Sequence, residues 1–167
     1  MTEQDSSGLR IGAPAPDWTL PDAQGGEHTL AQSLGPRGAV LMFVRGMFCP
    51  YCTEQLQQLW EGAAQFRERQ VRTLVITPYG PGAVAAALAG TSIPVLIDRP
   101  RQVIERYGLR HDVPDFAADS YPTGDLVHPT VVVLDAAGTV RWLYVAKTYS
   151  DRPRIQDVLH QLDLLAA

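Results

Sequence analysis

The feature that most constrains this chain is an apolar segment that leads directly into a pair of cysteines. Residues 39–44 read Ala-Val-Leu-Met-Phe-Val, a run that predicts a strand buried on both faces, as in a parallel sheet. Gly46 interrupts the run, and from Cys52 onward apolar residues recur at the spacing of an amphipathic helix. Cys49 therefore lies where the helix begins, and there the unpaired N–H groups and the helix dipole favour a thiolate.

The spacing of the two cysteines predicts a redox pair. Cys49 and Cys52 are about one helical turn apart, close enough to form a disulfide. Pro50 fits between them because the first helical turn needs no N–H there. We expect Cys49 to be open to attack an oxidised partner and Cys52 to resolve the resulting mixed disulfide or sulfenic acid. The alternatives are two buried apolar side chains, or half of a zinc site whose second half the sequence lacks.

Size, charge and the N-terminus exclude several classes of protein. A chain of 167 residues suits one domain, which we place at 11–167 after a flexible tail at 1–10. The net charge of −4 gives no basic surface for nucleic acid, and no apolar run approaches the roughly 18 residues of a membrane span. Because no signal-peptide pattern is present, we expect a cytoplasmic protein, in which a catalytic or metal-binding pair is favoured over a structural bridge.

The rest of the chain alternates short apolar strands with helices. After the first helix the pattern predicts a strand at 71–77, a helix at 82–89, a strand at 94–97, a helix capped by Asp98, strands at 130–135 and 139–146, and a helix capped by Ser150 or Asp151. The alternation predicts parallel strands with crossover helices, and the short turn between the last two strands makes that pair antiparallel. Before the first strand, alternation around Trp18 predicts a hairpin.

Three further expectations concern packing and loops. The tryptophans lie on apolar periods, so we expect core positions for Trp18, Trp60 and Trp142. Residues 109–127 show neither period and predict an irregular loop. Residues 151–154, Asp-Arg-Pro-Arg, are expected to form a helix start with solvated charges and not a binding patch.

Four segments in this order resemble a known family: 12–20, 43–52, 94–98 and 128–135. They look like the thioredoxin-fold branch that contains the peroxiredoxin-like AhpC/TSA proteins and the membrane-tethered thiol-disulfide reductases, from about residue 11 to the C-terminus. The resemblance implies an α/β thioredoxin-like three-layer fold, with a mixed central sheet flanked by helices and an N-terminal β-hairpin extension. It also implies a cis Pro129 beside the dithiol, with His128, Pro50 and Tyr51 as further substrate-binding positions.

The chain departs from this family at three positions. Met42 and Gly46 stand where typical peroxiredoxins have proline and threonine or serine, and His128 stands where they have arginine. Those family residues orient the peroxide, so their absence disfavours efficient peroxidase activity. Arg45 is a candidate substitute that could stabilise the Cys49 thiolate by its charge. The alternative is a solvated arginine at the end of a strand.

His128 has three possible roles. As an imidazolium it could increase the thiolate content of the pair. With Cys49 and Cys52 it could complete a site for a soft metal such as copper. The third possibility is a loop histidine that is held by a backbone hydrogen bond.

Together these features predict an antioxidant, thiol-dependent oxidoreductase of the peroxiredoxin-like type. Cys49 and Cys52 would cycle between dithiol and disulfide to reduce hydroperoxides or disulfides, and an external reductant such as thioredoxin or a low-molecular-weight thiol would restore them. We expect no metal or other cofactor, no nucleic-acid or membrane partner, and a monomer or homodimer. The alternative is a non-enzymatic copper chaperone or redox sensor that uses Cys49, Cys52 and His128.

Overall fold

The computed structural model describes residues 8–47, 49–78, 80–99, 102–112, 125–148 and 150–166. In chain order its elements are β1 (Thr19–Pro21), β2 (Glu27–Thr29), a 3-10 helix (Ala31–Ser33), β3 (Ala39–Phe43), α1 (Pro50–Glu68), β4 (Arg72–Thr77), α2 (Pro81–Ala87), β5 (Val95–Ile97), α3 (Gln102–Arg106), β6 (Arg110–Asp112), β7 (Asp125–Val127), β8 (Thr130–Leu134), β9 (Val140–Val145) and α4 (Ile155–Ala166). No helix in these ranges is long and apolar enough to cross a bilayer.

A five-stranded mixed sheet forms the centre of the molecule, with the strand order β5-β4-β3-β8-β9. β3, β4 and β5 run parallel, and β8 pairs antiparallel with both β3 and β9. The N-terminal strands β1 and β2 form a separate antiparallel hairpin. The predicted α/β architecture with a mixed sheet and a hairpin extension is confirmed.

Side chains alternate across β3 and so supply two cores, one on each face of the sheet. Val40, Met42 and Val44 enter a core that α1, α2 and α4 complete and that includes both cysteines. The opposite face packs against the hairpin and α3, which gives three layers. Leu9 also packs on this second face, whereas residues 1–7 of the predicted tail lie outside the described residues.

The junction between β3 and α1 positions the cysteines. Gly46 has φ 144°, a backbone conformation that residues other than glycine rarely adopt. The chain then reaches Cys49 with extended dihedrals (φ −97°, ψ 118°), and Pro50 is the first residue of α1. The Cys49 carbonyl accepts the N–H of Thr53 at 3.0 Å, which is the first bond of the helix. These dihedral angles and this hydrogen bond confirm the predicted strand-to-helix junction.

The last helix begins later than predicted. The expected cap at residues 150–151 is wrong, because α4 begins at Ile155. The N–H of Arg154 donates to Asp157 Oδ2 at 3.1 Å, and the N–H of Ile155 donates to Gln58 Oε1 on α1 at 3.2 Å. Side chains from within the helix and from a neighbouring helix therefore satisfy its first N–H groups.

Two other expectations fail for local reasons. Trp60 is 47% exposed, because its neighbour Leu59 takes the buried position on α1 and adjacent helical residues point about 100° apart. The indole Nε1 of Trp60 donates to the carbonyl of Ala89 at 2.9 Å. Residues 109–127 are not wholly irregular, since β6 and β7 pair antiparallel near their ends. Strands of three residues are too short to show a period, and residues 113–124 lie outside the described part.

Candidate dithiol site

Both cysteines are reduced and buried at the start of α1. Cys49 and Cys52 are each 0% exposed, in the core formed by the helical face of the sheet. The expectation that Cys49 is open to an incoming partner is therefore wrong for this state of the molecule. Its position directly before α1 is as predicted, so the pair lies at the helix start but under a cover of protein.

Arg152 contacts both sulfur atoms. Its Nη2 lies 3.5 Å from Cys49 Sγ and 3.4 Å from Cys52 Sγ, and its Nη1 donates to the carbonyl of Asp151 at 2.8 Å. The prediction that this arginine is solvated is wrong, since it is half-buried. No local pattern could have found it, because 103 residues separate it from Cys49 and only the packing of the tertiary fold joins them.

The segment that carries Arg152 is anchored by a carboxylate. Asp151 Oδ1 accepts the Tyr144 hydroxyl at 2.5 Å, and Oδ2 accepts the N–H of Lys147 at 2.9 Å. The bond from Tyr144 is the main cause that lowers the pKa of Asp151, and the same bond raises the pKa of Tyr144. Asp151 therefore stays ionised and fixes the backbone next to the guanidinium that faces the sulfurs.

The Cys52 thiol holds its proton tightly. The pKa of Cys52 lies well above the ordinary thiol range, first because its thiol hydrogen-bonds to Cys49, then because of burial and the charge of Cys49. Arg152 acts in the opposite direction on the same thiol. The raised pKa keeps the proton on Cys52, whose thiol donates to the Cys49 sulfur.

Arg45 is a buried arginine that points toward the chain before β8. It is 3% exposed, so the alternative of a solvated strand-end arginine is wrong. Its Nε donates to the carbonyl of Val127 at 3.2 Å. The predicted role of its charge at the Cys49 thiolate stays a prediction.

His128 and Pro129 lie at the same edge of the sheet as the segment that leads to Cys49. The register pairs Phe43, the last residue of β3, with Thr130, the first residue of β8. Two backbone hydrogen bonds hold the 128–129 turn. The N–H of His128 donates to the carbonyl of Leu109 at 2.7 Å, and the N–H of Ala146 donates to the carbonyl of Pro129 at 2.8 Å. The cis geometry of Pro129 and the substrate-binding roles of Pro50 and Tyr51 stay predictions.

The protonation of His128 bears on its three possible roles. Burial and then the charge of Arg45 lower its pKa, whereas a backbone hydrogen bond at Ala146 opposes them. The ring is therefore neutral at pH 7, which argues against an imidazolium beside the thiolate. The backbone bond matches the third role, a histidine fixed in its loop.

The copper alternative depends on three ligands that lie in described segments. Within the parts of the chain that the structure describes, no three or more His, Cys, Asp or Glu side chains are grouped so that they could hold a metal ion. Cys49, Cys52 and His128 are therefore not assembled as a metal site in this conformation.

A groove lies on the outer side of Arg152. It has a volume of about 230 Å³, and six of the residues that line it are Tyr51, Glu54, Gln55, Ser150, Arg152 and Arg154. We call it the Arg152 groove. Sequence reasoning found Tyr51 through its place in the Cys-Pro-Tyr-Cys motif and missed the others.

The sequence matches a known protein family. The family model described as AhpC/TSA matches residues 11–143. The chain belongs to the AhpC/TSA family. It is 29% identical over 108 residues to the thiol-disulfide oxidoreductase ResA of Geobacillus thermodenitrificans, which is 63% of this chain and 61% of that protein. A Mycobacterium tuberculosis protein named as a peroxiredoxin is 30% identical over 102 residues, which are 60% of this chain and 64% of that protein.

Solved structures show the fold of this AhpC/TSA member. Peroxidoxin BcpB from Mycobacterium tuberculosis superimposes with a TM-score of 0.78 at 20% identity, covering 95% of this chain and 99% of that one. A variant of peroxiredoxin 6 of Arenicola marina gives a TM-score of 0.80 at 17% identity, with 95% and 74% covered. The thioredoxin-like fold is confirmed. The matched curated relatives extend beyond the aligned part, which is about three fifths of their length.

Proposed function

We propose that this protein is a thiol-dependent oxidoreductase in which Cys49 and Cys52 cycle between dithiol and disulfide. The observation that carries the proposal is the contact of one guanidinium with both sulfurs. Cys52 keeps its proton and donates it to Cys49, while Arg152 Nη2 lies within 3.5 Å of both sulfurs. A thiolate beside a thiol, held by a guanidinium, is the reduced state from which disulfide exchange starts.

The reaction has two steps. The Cys49 thiolate attacks one sulfur of a disulfide, the S–S bond breaks, and the other sulfur leaves as a thiolate. Cys52 then gives up its proton, attacks the Cys49 sulfur and releases the second half of the substrate, which leaves a Cys49–Cys52 disulfide. Arg152 stabilises the thiolate at the start, and its charge also lowers the cost of deprotonating Cys52 in the second step.

We propose a disulfide as the principal oxidant. The three departures at Met42, Gly46 and His128 remove the groups expected to orient a peroxide, whereas disulfide exchange needs only the two sulfurs and a stabilising charge. A hydroperoxide is the second candidate, because Arg152 lies next to the Cys49 sulfur and a guanidinium can bind a peroxide oxygen. In that case a sulfenic acid forms on Cys49, water or an alcohol leaves, and Cys52 displaces hydroxide as water.

The burial of both sulfurs adds a requirement for access. Because Cys49 and Cys52 are 0% exposed, the oxidant reaches Cys49 only when part of the surrounding protein moves aside. We propose that the Arg152 side chain is the moving part, since its guanidinium contacts both sulfurs while Asp151 holds the backbone beside it. We also propose a cytoplasmic location, where a thioredoxin-type protein or a small thiol returns the pair to the dithiol.

The test is to count free thiols with time after reduced protein is mixed with hydrogen peroxide, an alkyl hydroperoxide or a protein disulfide. We expect fast loss of both thiols with the disulfide and slower loss with the peroxides. In Cys52→Ser the first step still occurs, so a stable mixed disulfide should be detected by mass. Loss of thiols in Cys49→Ser at the wild-type rate contradicts the proposal.

A further inference from the structure

The Arg152 groove shares one side chain with the dithiol. Tyr51 and Gln55, which line it, precede and follow Cys52 on α1 by one and three residues. The shared side chain is Arg152, which lines the groove while its Nη2 lies 3.4 Å from Cys52 Sγ. A molecule in the groove can therefore contact the same guanidinium as the pair, and it lies closer along α1 to Cys52 than to Cys49.

The charges of the lining favour an anion. Arg152 and Arg154 supply two guanidinium groups, and Glu54 supplies one carboxylate. Arg154 is 76% exposed, and its Nε lies 3.7 Å from Asp157 Oδ2, an exposed ion pair that a ligand can displace at little cost. Guanidinium groups match the planar geometry of a carboxylate. The groove thus favours a small carboxylate-bearing molecule.

Gln55 favours a bound molecule that carries an N–H donor. Its side chain is 3% exposed, and its Oε1 is a buried acceptor with no hydrogen-bond partner among the described residues. The neighbouring amide on this face, Gln58, already accepts the N–H of Ile155 through its Oε1. A buried acceptor without a donor is costly, and an amide N–H of a bound molecule would remove that cost.

Building on the proposed function, we propose that the Arg152 groove binds the reductant, a low-molecular-weight thiol that carries both a carboxylate and an amide N–H. The carboxylate binds Arg154 and Arg152, and the N–H donates to Gln55. Arg152 contacts both sulfurs in the reduced protein, so we expect the thiol to bind more tightly to the oxidised protein, in which the sulfurs carry no charge.

The electrons balance with two equivalents of the thiol. The first, as its thiolate, attacks the Cys52 sulfur, the Cys49–Cys52 bond breaks, and Cys49 leaves as the thiolate that Arg152 stabilises. The second thiolate attacks the small thiol's sulfur in the mixed disulfide, which releases Cys52 and a symmetric small-molecule disulfide. Cys52 takes up one of the two protons that the thiols lose. Attack at Cys52 is the favourable direction because the more acidic thiol of a pair is the better leaving group.

The experiment follows reduction of the oxidised full-length protein by N-acetylcysteine and by its neutral analogue N-acetylcysteinamide, compared at equal thiolate concentration and low salt. We expect N-acetylcysteine to react about fivefold faster, as one charge-assisted contact would give. Arg154→Gln should lower this ratio and Glu54→Gln should raise it. Arg67→Gln, a matched change elsewhere on α1, should leave it unaltered. Gln55→Leu should remove a preference for N-acetylcysteine over 3-mercaptopropionate.

Two outcomes overturn the inference. One is a ratio of one in the wild-type protein after correction for thiolate concentration. The other is a ratio that moves in the same direction in Arg154→Gln and Glu54→Gln, which would indicate a general disturbance of the site. In both cases a disulfide that still forms and is still reduced by a neutral thiol leaves the proposed function intact. Failure of the proposed function is seen earlier, as the absence of any Cys49–Cys52 disulfide after oxidation.

Discussion

Two strand-to-helix junctions at the same edge of the sheet hold a buried ionisable side chain in different ways. Cys49 lies between β3 and α1, and Asp98 lies between β5 and α3. Both are 0% exposed. Asp98 Oδ1 accepts the N–H of Val103 at 3.2 Å and Oδ2 accepts the N–H of Ile104 at 2.7 Å. The Cys49 side chain makes no such bond to α1.

The difference separates a helix cap from the cysteine that we propose to react. Asp98 binds its own helix, so its lone pairs are used to hold α3 in place. The Cys49 sulfur is instead contacted by a guanidinium that belongs to another part of the chain, Arg152, and by the thiol of Cys52. We propose that the Cys49 sulfur remains able to react because the groups that contact it are side chains that can move aside.

The largest expected effect is on chemistry at the first junction. Cys49→Ser should slow consumption of a protein disulfide by more than about a thousandfold, because the hydroxyl is not ionised at neutral pH. Its stability in urea should change little, because serine is nearly the same size. The measurement is stopped-flow exchange with a fluorescent disulfide. A rate within tenfold of the wild-type rate would show that the reactive anion lies elsewhere.

At the second junction the large effect is on stability. Asp98→Ala should lower the free energy of unfolding by about 2 to 4 kcal/mol, because two buried N–H groups lose their acceptors. Asp98→Asn retains one acceptor oxygen and should lose about half as much. Urea denaturation gives both values, and the exchange rate of the folded protein serves as the control. An unchanged midpoint in Asp98→Ala would mean that the two junctions do not differ as described.

Removal of the guanidinium should have an intermediate effect. Arg152→Gln should slow exchange at pH 7 by about tenfold, since loss of a nearby positive charge raises a thiol pKa by about one unit. Arg152→Lys keeps a charge and should recover part of the rate, and Arg154→Gln, which removes a charge that does not contact the sulfurs, is the matched control. Equal rates in Arg152→Gln and the wild-type protein would contradict the assignment.

The smallest effect concerns His128 and acid stability. Its pKa is lowered in the folded protein, so below the ordinary histidine value of about 6.5 the unfolded chain binds this proton more readily than the folded one. Stability from this residue is thus present above that pH and is lost as the pH falls. His128→Gln should reduce the loss between pH 7.5 and 5 by less than about 1 kcal/mol. A steeper loss in the variant would mean that His128 is charged when folded.

The sequence predicts what short-range patterns encode. The dithiol junction is predicted by the apolar run before Gly46, the helical spacing after Cys52 and the position of Pro50. The same reasoning predicts Asp98 as a helix cap. The contact of Arg152 with the sulfurs could not be predicted, because nothing in its local sequence distinguishes a guanidinium that faces sulfur from one that faces water. The start of α4 could not be predicted for a similar reason, since the N–H of its first residue, Ile155, donates to Gln58 on another helix.

We propose that Cys49 carries the first negative charge of the pair while Cys52 stays a thiol. The most direct test of this proposal is an NMR titration of the reduced protein labelled with carbon-13 at the cysteine Cβ atoms, which reports ionisation at each sulfur without requiring that a reagent reach it. The Cys49 signal should titrate at lower pH, and the Cys52 signal should move only above the ordinary thiol range. Titration of Cys52 before Cys49 would contradict the proposal.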